Sequence, residues 1–177
     1  MNRLSLKTIA NQKNLKKITC LTAYTSSIAK IIDKHVDIIL IGDSVGTVIY
    51  GMENTQDVTL DMMIAHGKAV VKSSKRAFTV IDMPYHTYRT NKEALNNARK
   101  LINFTHCQSV KLEANNNNIN IIKHLVKNKI KVITHIGVTP QDYKNFNKIR
   151  AVGNSIEERG EILNLAIDLE KAGSSMI

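Results

Sequence analysis

The sequence predicts an α/β fold in which the strands of one parallel sheet alternate with helices. Three observations predict this class. Short aliphatic runs recur along the chain, helical patterns with capping residues separate them, and polar residues or glycine follow the runs. Runs this short and aliphatic are typical of strands buried on both faces of a parallel sheet. The runs cover residues 17–23, 36–41, 77–81, 108–113 and 131–135.

The first half of the chain begins with a short polar helix, predicted over residues 4–16. Thr25 or Ser26 caps the helix after the first strand, because a hydroxyl there accepts a hydrogen bond from a free N–H of the first turn. The second strand runs into Gly-Asp-Ser-Val-Gly, and a long loop is predicted over residues 47–58. Thr59 then caps a helix whose apolar residues recur on one face.

The second half of the chain contains two patterns of the capping-box type, Thr-Asn-Lys-Glu at 90–93 and Ser-Ile-Glu-Glu at 155–158. Each predicts the start of a helix. Residues 141–154 are predicted as a loop, and Gly173 ends the last helix. Residues 174–177 resemble the first residues of a sixth strand. The order of elements is therefore five strand–helix units and the beginning of another strand.

Two closures of such a sheet are possible, an open doubly wound sheet or a (β/α)₈ barrel. The chain has neither a GxGxxG pattern nor a P-loop, so nucleotide-binding open sheets lose support. A complete barrel needs about 250 residues. We therefore expect a TIM-type (β/α)₈ barrel that is incomplete here. It forms a single domain over residues 1–177, with residues 1–16 as an N-terminal helical extension.

Composition argues against several classes of protein. The net charge is +10, but lysines and arginines are dispersed and only three Phe and five Tyr are present, so a nucleic-acid binder is a remote alternative. The sequence contains no apolar run of about 18 residues, so no membrane span is predicted. The N-terminus lacks a signal-peptide pattern, and we expect a cytoplasmic protein. Cys20 and Cys107 show no CxxC spacing and are predicted as core thiols.

Polar side chains recur at the ends of all five predicted strands. The carboxyl ends of barrel strands meet on one face, where such folds place their active sites. Taken alone, Gly-Asp-Ser-Val-Gly is more typical of a turn than of a site. Five consecutive strands with a polar group at the same end favour a site. The residues are Tyr24, Asp43, Ser44, Asp82, Lys111, Glu113 and His135.

The chemistry of these side chains indicates a metal beside a lysine. Asp43, Asp82 and Glu113 supply the hard oxygen ligands that Mg²⁺ prefers. Lys111 lies two residues before Glu113, so both side chains leave the strand on one face, and the lysine can hold a substrate carboxylate. This arrangement suits a small α-keto acid, whose neighbouring C–H the metal would acidify. Further groups that can hydrogen-bond a substrate oxygen are Ser44 and His135.

Six segments match one family in order and spacing. They are ITCLTAY, IGDSVGT, DVTLDMMIAHGKAV, VIDMPYHTY, VKLEA and HIGVTPQ. From about Ile18 to Ile177 the chain resembles the 3-methyl-2-oxobutanoate (ketopantoate) hydroxymethyltransferases. The resemblance implies a (β/α)₈ barrel that forms a homodecamer. It also implies transfer of a hydroxymethyl group from 5,10-methylenetetrahydrofolate to 3-methyl-2-oxobutanoate (α-ketoisovalerate), giving ketopantoate for pantothenate biosynthesis.

The resemblance also implies roles for individual residues. Asp43 and Asp82 correspond to Mg²⁺ ligands that lie against the substrate, and Glu113 lies near the metal, directly or through water. The residues that match keto-acid-binding and other active-site positions are Ser44, Lys111, His135 and Tyr24.

The chain departs from the family pattern in some loops and at its end. Tyr24-Thr25-Ser26 stands where the family usually has Tyr-Asp-Tyr, and residues 145–150 replace a glycine-rich loop. The family's catalytic base is a glutamate at the end of the sixth strand, which we expect beyond Ile177. Because a general base contributes about 10²–10⁴-fold in rate, we expect the isolated chain to be a fragment with little or no activity.

Two other interpretations stay open from the sequence. One is another Mg²⁺-dependent α-keto-acid barrel of the phosphoenolpyruvate mutase/isocitrate lyase type, although the Lys-Lys-Cys-Gly-His loop of that group is absent. The other is a catalytically dead subunit that binds metal and keto acid without turning them over.

Overall fold

Five parallel strands form one sheet in the computed structural model, which describes residues 3–177. The strands are β1 (Cys20–Thr22), β2 (Ile38–Ile41), β3 (Phe78–Asp82), β4 (Ser109–Glu113) and β5 (Val132–His135). They lie in the order β1-β2-β3-β4-β5. A doubly wound sheet reverses its strand order at a switch point, whereas a barrel adds each strand beside the last. The sequential order confirms the predicted barrel-type α/β fold.

The helices begin where the capping residues predict. The hydroxyls of Thr25, Thr59, Thr90 and Ser155 each accept a hydrogen bond from the N–H three residues further on, at 3.0–3.4 Å. Each cap satisfies an N–H that has no partner inside its helix. The helices are α1 (Leu6–Ala10), α2 (Ser26–Ile32), α3 (Val45–Ile49), α4 (Leu60–Ser73), α5 (Asn91–Thr105), α6 (Ile119–Lys127) and α7 (Ile156–Lys171).

Alternation along the strands gives the sheet two apolar faces. Ile39 and Ile41 belong to the larger core, which also contains buried residues of α4, α5 and α6. Ile38 and Phe78 point to the opposite face and form a second cluster with Ile9 of α1. Because successive side chains on a strand alternate between faces, the inner face that Ile38 and Phe78 begin continues toward the carboxyl ends of the strands. The helix α1 covers the amino end of that face.

The last described residues begin to pair with β5. Met176 forms a parallel bridge with Ile133. Ser175 N donates to Val132 O at 2.8 Å, and Thr134 N donates to Met176 O at 3.0 Å. These bonds agree with the prediction that a sixth strand starts at residues 174–177.

Three predictions about local structure need correction. The loop predicted over residues 47–58 is wrong at its start, because α3 continues to Ile49. Gly46 suggested a turn, but its missing side chain serves close packing, since a Cβ there would lie 2.6 Å from Val58 Cγ2. The loop predicted over residues 141–154 contains two 3₁₀ helices, Pro140–Asp142 and Phe146–Lys148.

The helix predicted over residues 4–16 of the N-terminal extension, residues 1–16, is wrong in its length. Only α1 (Leu6–Ala10) is helical, and the rest between Arg3 and Lys16 consists of turns and irregular backbone. Residues 1 and 2 lie outside the described part of the chain. Within residues 3–177, no helix combines the length and the apolar character that crossing a membrane requires.

The two cysteines differ in burial. Cys107 is buried, as predicted, but Cys20 is exposed, so the prediction of a core thiol is wrong there. Cys20 lies in β1, whose three residues are all exposed. Its aliphatic neighbours suggested a buried strand, but β1 is an edge strand of this sheet and lacks the cover of a neighbour on one side.

Candidate active site

Strand register brings the predicted polar residues together at the carboxyl ends of the strands. Asp82 of β3 pairs with Lys111 of β4, and Glu113 of β4 pairs with His135 of β5. Lys111 and Glu113 are two residues apart on one strand, so they share a face. That face is the inner one, which Phe78 and Ile38 begin at the amino end of the sheet. The register thus sets four of the predicted side chains on one surface.

The shortest ion pair at this surface joins Lys111 to Asp82. Lys111 Nζ lies 2.6 Å from Asp82 Oδ1. The other oxygen, Asp82 Oδ2, accepts a hydrogen bond from Asp43 N at 3.2 Å, so the ends of β2 and β3 are held side by side. Burial opposes the charge of Lys111, but the negative charge and hydrogen bond of Asp82 outweigh it and raise the pKa of the lysine. Lys111 therefore stays protonated and uses one of its three N–H donors on Asp82.

Asp43 is buried in a crowded, negatively charged setting. It is 9% exposed. Burial and the nearby charge of Asp82 raise the pKa of Asp43 to about 7, although the hydrogen bond from Gln141 Nε2 to Asp43 Oδ2 at 2.7 Å acts in the opposite direction. Lys111 supplies one positive charge against the carboxylates of Asp43, Asp82 and Glu113. Such an excess of negative charge favours the binding of a cation.

Glu113 lies at the end of β4, between Gln141 and His135. Its Oε2 accepts a hydrogen bond from Gln141 N at 3.1 Å. Burial raises the pKa of Glu113 above its usual range. His135 Nδ1 lies 3.6 Å from Glu113 Oε1, which is too long for a hydrogen bond. Within residues 3–177 this buried ring nitrogen has no hydrogen-bond partner. The rest of the imidazole is reachable, because the His135 side chain as a whole is 32% exposed.

Tyr24 and Ser44 meet beside Asp43, as the convergence of strand ends predicts. Tyr24 Oη lies 2.8 Å from Ser44 Oγ. Ser44 opens α3 without capping it through its side chain, so its hydroxyl remains free for this contact. The turn is tight, because a Cβ at Gly42 would lie 2.8 Å from Ser44 Oγ. The hydroxyl pair thus lies next to the carboxylates and supplies hydrogen-bonding groups without charge.

Sequence reasoning missed three residues that support the site. Gln141 lies in the segment predicted as a loop, and Tyr88 and His66 are not among the predicted site residues. Instead, Gln141 bonds two of the carboxylates, and its Oε1 accepts a short hydrogen bond from the Tyr88 hydroxyl. His66 Nδ1 bonds Tyr24 O at 2.6 Å and thereby holds the end of β1. The only signal for His66 was its position three residues after Met63 on the buried side of α4.

Burial keeps Tyr88 a hydrogen-bond donor. Desolvation and the nearby charge of Glu113 raise the pKa of the Tyr88 hydroxyl far above its ordinary value. A cavity of about 260 Å³ opens beside this group and is lined in part by Glu113, Gln141 and Arg89. The cavity offers space for a small molecule next to Glu113, whereas Asp43, Asp82 and Lys111 do not line it.

The residues fit a magnesium site built on two carboxylates. No three His, Cys, Asp or Glu side chains of residues 3–177 stand close enough together to hold a metal ion by themselves. Magnesium usually takes one or two protein carboxylates and completes its shell with waters and substrate oxygens. Asp43 and Asp82 fit that donor set. They lie at adjacent strand ends, in a site whose carboxylates outnumber its one cation. Direct ligation by Glu113 stays a prediction.

The fold defines the chain as a barrel-type α/β protein of a known architecture. It is similar to the crystal structure of 2,3-dimethylmalate lyase, a phosphoenolpyruvate mutase/isocitrate lyase superfamily member. The TM-score is 0.67 and the identity 12%, and the match covers 96% of this chain and 61% of that one. Phosphonopyruvate hydrolase, solved in complex with oxalate and Mg²⁺, matches with a TM-score of 0.69 at 8% identity, over 97% and 61% of the two chains. At these identities the likeness shows the fold alone.

Sequence comparison then identifies the family. The family described as ketopantoate hydroxymethyltransferase matches residues 3–177. The 3-methyl-2-oxobutanoate hydroxymethyltransferase of Pelagibacter ubique is 49% identical over 173 residues, covering 98% of this chain and 66% of the relative. That of Anaplasma marginale is 44% identical over 171 residues, covering 97% and 62%. The chain belongs to the ketopantoate hydroxymethyltransferase family, and it spans 62–66% of the length of these two relatives.

Proposed function

We propose that the protein transfers a hydroxymethyl group from 5,10-methylenetetrahydrofolate to 3-methyl-2-oxobutanoate, giving ketopantoate in pantothenate biosynthesis. The family and its named relatives support this reaction. The observation that carries the proposal is the meeting of Asp43, Asp82 and Lys111 at adjacent strand ends, where the Asp82 carboxylate pairs with the Lys111 ammonium group and accepts from the Asp43 backbone N–H. A keto acid carries a carboxylate and a carbonyl side by side, and this group of residues offers a partner for each.

Asp43 and Asp82 would hold Mg²⁺, with Glu113 near it. The raised pKa of Asp43 supports this assignment, because the carboxylate lies buried beside another negative charge and a cation would relieve both costs. When bound, the metal supplies Lewis-acid polarisation of the substrate carbonyl, which acidifies the neighbouring C–H.

Lys111 would bind the substrate carboxylate. Its ammonium group donates to Asp82 and has two further N–H donors in the same site. Asp82 thus orients the lysine and fixes its charge, and the substrate completes the pairing. A point charge of this kind is suited to a carboxylate whose position other contacts define.

Ser44, Tyr24 and His135 would orient the substrate oxygens. In the Ser44–Tyr24 pair, one hydroxyl donates its proton to the oxygen of the other. The second hydroxyl therefore keeps its own proton to donate to a ligand. The partly exposed imidazole of His135 lies next to Glu113 and would supply a further hydrogen bond. Hydrogen bonds from several directions would fix the keto acid in one orientation relative to the folate.

The family resemblance implies a homodecamer, and the protein would accordingly act as a homo-oligomer in the cytoplasm. Its partners would be the keto acid and the folate, with no nucleic acid and no membrane.

Calorimetric titration of the chain with 3-methyl-2-oxobutanoate, with and without Mg²⁺, tests the proposal. We expect binding that requires Mg²⁺ and is lost in Asp82→Asn but retained in the control Asp168→Asn, whose side chain is 52% exposed on α7. Absence of Mg²⁺-dependent binding to the unmodified chain would contradict the proposal.

Two further readouts separate the alternatives. Deuterium exchange at C3 of the keto acid and formation of ketopantoate report turnover, and binding without either would favour a catalytically dead subunit. Phosphonopyruvate serves as the comparison ligand. A preference for it over 3-methyl-2-oxobutanoate would favour a phosphoenolpyruvate mutase-type activity, for which the fold likeness alone gives no specific support.

A further inference from the structure

Gln141 connects the carboxylates of the site to the neighbouring loops. It is 3% exposed and lies in the 3₁₀ helix Pro140–Asp142. Its backbone N–H donates to Glu113 Oε2 at 3.1 Å. Its side-chain Nε2 donates to Asp43 Oδ2 at 2.7 Å and to Met83 O at 3.1 Å. One residue therefore contacts the ends of β2 and β4 and the residue that follows β3.

The amide group of Gln141 has one orientation that satisfies its neighbours. With Nε2 toward Asp43 and Met83, both amide protons reach acceptors, and Oε1 accepts from the Tyr88 hydroxyl. In the flipped orientation Oε1 would face a carboxylate and a carbonyl, and neither of these donates a proton. Asp43 Oδ2 and Met83 O therefore fix the direction of the amide, and the Tyr88 hydroxyl, which can donate or accept, completes its hydrogen bonding by donating to Oε1.

The contact leaves one oxygen of Asp43 for a ligand. Gln141 engages Oδ2, and none of the hydrogen bonds within residues 3–177 involves Oδ1. A carboxylate held through one oxygen has a defined position for the other. Groups of this kind, which orient a metal ligand without touching the metal, contribute strongly to metal affinity.

We propose that Gln141 is a positioning residue that sets the Asp43 and Glu113 carboxylates for a divalent cation, with Tyr88 supporting its amide by donating to Oε1. The inference rests on the proposed function, because the cation it serves is the one that Asp43 and Asp82 would hold. It adds the residues that give the carboxylates their orientation.

The turn that carries Gln141 is held by other contacts as well. Gln56 Nε2 donates to Gln141 O at 2.7 Å, and Thr139 Oγ1 donates to Asp142 Oδ2 at 2.7 Å. Neither contact touches a carboxylate of the site. The variant Thr139→Val therefore perturbs the same turn while leaving the amide in place, and it is the matched control.

The first test measures Mn²⁺ affinity by electron paramagnetic resonance of the free ion. Gln141→Met keeps the length of the side chain and removes its donors, and we expect a dissociation constant weakened by about 10–100-fold. Tyr88→Phe leaves the amide but removes the donor to its Oε1, and we expect a smaller loss of roughly fivefold, as for one neutral hydrogen bond. Thr139→Val should bind as the unmodified chain does. An equal loss in Thr139→Val would assign the effect to the turn and overturn the proposal.

The second test needs no metal. In protein labelled with ¹³C at aspartate carboxyl carbons, the Asp43 signal is assigned by its disappearance in Asp43→Asn. We expect this signal to shift in Gln141→Met and to stay in place in Thr139→Val. An unmoved Asp43 signal would overturn the proposal. Thermal unfolding shows whether Gln141→Met folds, and if it does not, Tyr88→Phe provides the same comparison.

Together the tests separate the two proposals. If the unmodified chain binds Mn²⁺ and Gln141→Met binds it equally well, the positioning role fails while the proposed function stands. If the unmodified chain binds no Mn²⁺, the proposed function fails, and the Asp43 signal alone decides whether Gln141 orients the carboxylate.

Discussion

The two ends of the sheet both bury aspartates but treat them in opposite ways. At the amino end, Asp33 accepts hydrogen bonds from the backbone N–H groups of Lys75, Arg76 and Ala77 at 2.8–3.1 Å. Burial opposes its ionisation, but these bonds outweigh burial and lower the pKa of Asp33. At the carboxyl end, burial and a neighbouring carboxylate raise the pKa of Asp43.

A second aspartate at the amino end repeats the first arrangement. Asp37 accepts from Thr19 N at 3.1 Å and lies within 3.4 Å of the cations of Lys16 and Arg76. Its pKa is lowered, because the hydrogen bonds and Lys16 outweigh burial. At the amino end, N–H donors and cations of the chain pair with the Asp33 and Asp37 carboxylates. The negative charge of both carboxylates is therefore balanced within the fold.

The two ends differ in whether the chain itself supplies the donors and cations that balance its buried carboxylates. Carboxylates whose donors are supplied by the chain stabilise the connections between elements. Carboxylates that crowd each other cost stability when ionised, and a fold that keeps them offers the excess charge to something outside the chain. Predictions follow from exchanging charge for neutrality at each end.

The largest effect is expected at the amino end. Asp33→Asn replaces one acceptor by an NH₂ group that faces backbone donors, and we expect a loss of about 3 kcal/mol in the free energy of unfolding. Chemical denaturation measures it, with the exposed Asp168→Asn as control. A loss below about 0.5 kcal/mol, as for an ordinary surface substitution, would remove the distinction between the two ends.

At the carboxyl end the same substitution should act on the ligand and not on the fold. Asp43→Asn relieves the repulsion from Asp82 and keeps an acceptor for Gln141. We expect about 100-fold weaker Mg²⁺ binding by calorimetry, at the upper end of losses caused by disturbing a metal site. The melting temperature should stay the same or rise. A large fall in stability with unchanged Mg²⁺ affinity would reverse our assignment.

Acid should reduce the difference in stability between the unmodified chain and the variant Asp33→Asn. Because the folded-state pKa of Asp33 is lowered, its contribution to stability is complete above the unfolded value, about pH 4, and is lost as the pH falls through the folded value. The slope is at most about 1.4 kcal/mol per pH unit for one carboxylate. The difference in stability between the unmodified chain and Asp33→Asn should therefore shrink below pH 4. A constant difference from neutral pH into acid would contradict this account.

The smallest effect is expected at the uncharged pair beside Asp43. Tyr24→Phe removes the hydroxyl that bonds Ser44. A neutral hydrogen bond contributes about 1 kcal/mol, so we expect roughly fivefold weaker keto-acid binding and little change in Mg²⁺ affinity. Titration with each ligand separates the two. Equal losses for metal and keto acid would show that the pair supports the turn after β2 instead of the substrate.

Much of this site could be predicted because strand ends carry strong signals. A short aliphatic run marks a strand, and a charged residue just after it, such as Asp43 or Asp82, has a position fixed by the fold class. The spacing of Lys111 and Glu113 also fixed their common face, which the register confirms.

The remainder could not be predicted because it depends on contacts between distant segments. Gln141 is uncharged and follows a proline in a loop, so nothing local indicated that it bonds Asp43, which lies 98 residues earlier. The pairing of Lys111 with Asp82 was equally hidden, since the lysine alone suggested only a substrate partner. Cys20 was misplaced because an edge strand has the same aliphatic pattern as a central one.

Mn²⁺ binding measured with and without 3-methyl-2-oxobutanoate tests most directly whether the carboxyl end is a joint site for a cation and a keto acid. If both ligands meet at Asp43, Asp82 and Lys111, each must strengthen the binding of the other by the same factor. We predict that the keto acid tightens Mn²⁺ binding and that Asp82→Asn abolishes the effect. Mn²⁺ binding that is independent of the keto acid, or equal in the unmodified chain and Asp82→Asn, would contradict a joint site at the carboxyl end of the sheet.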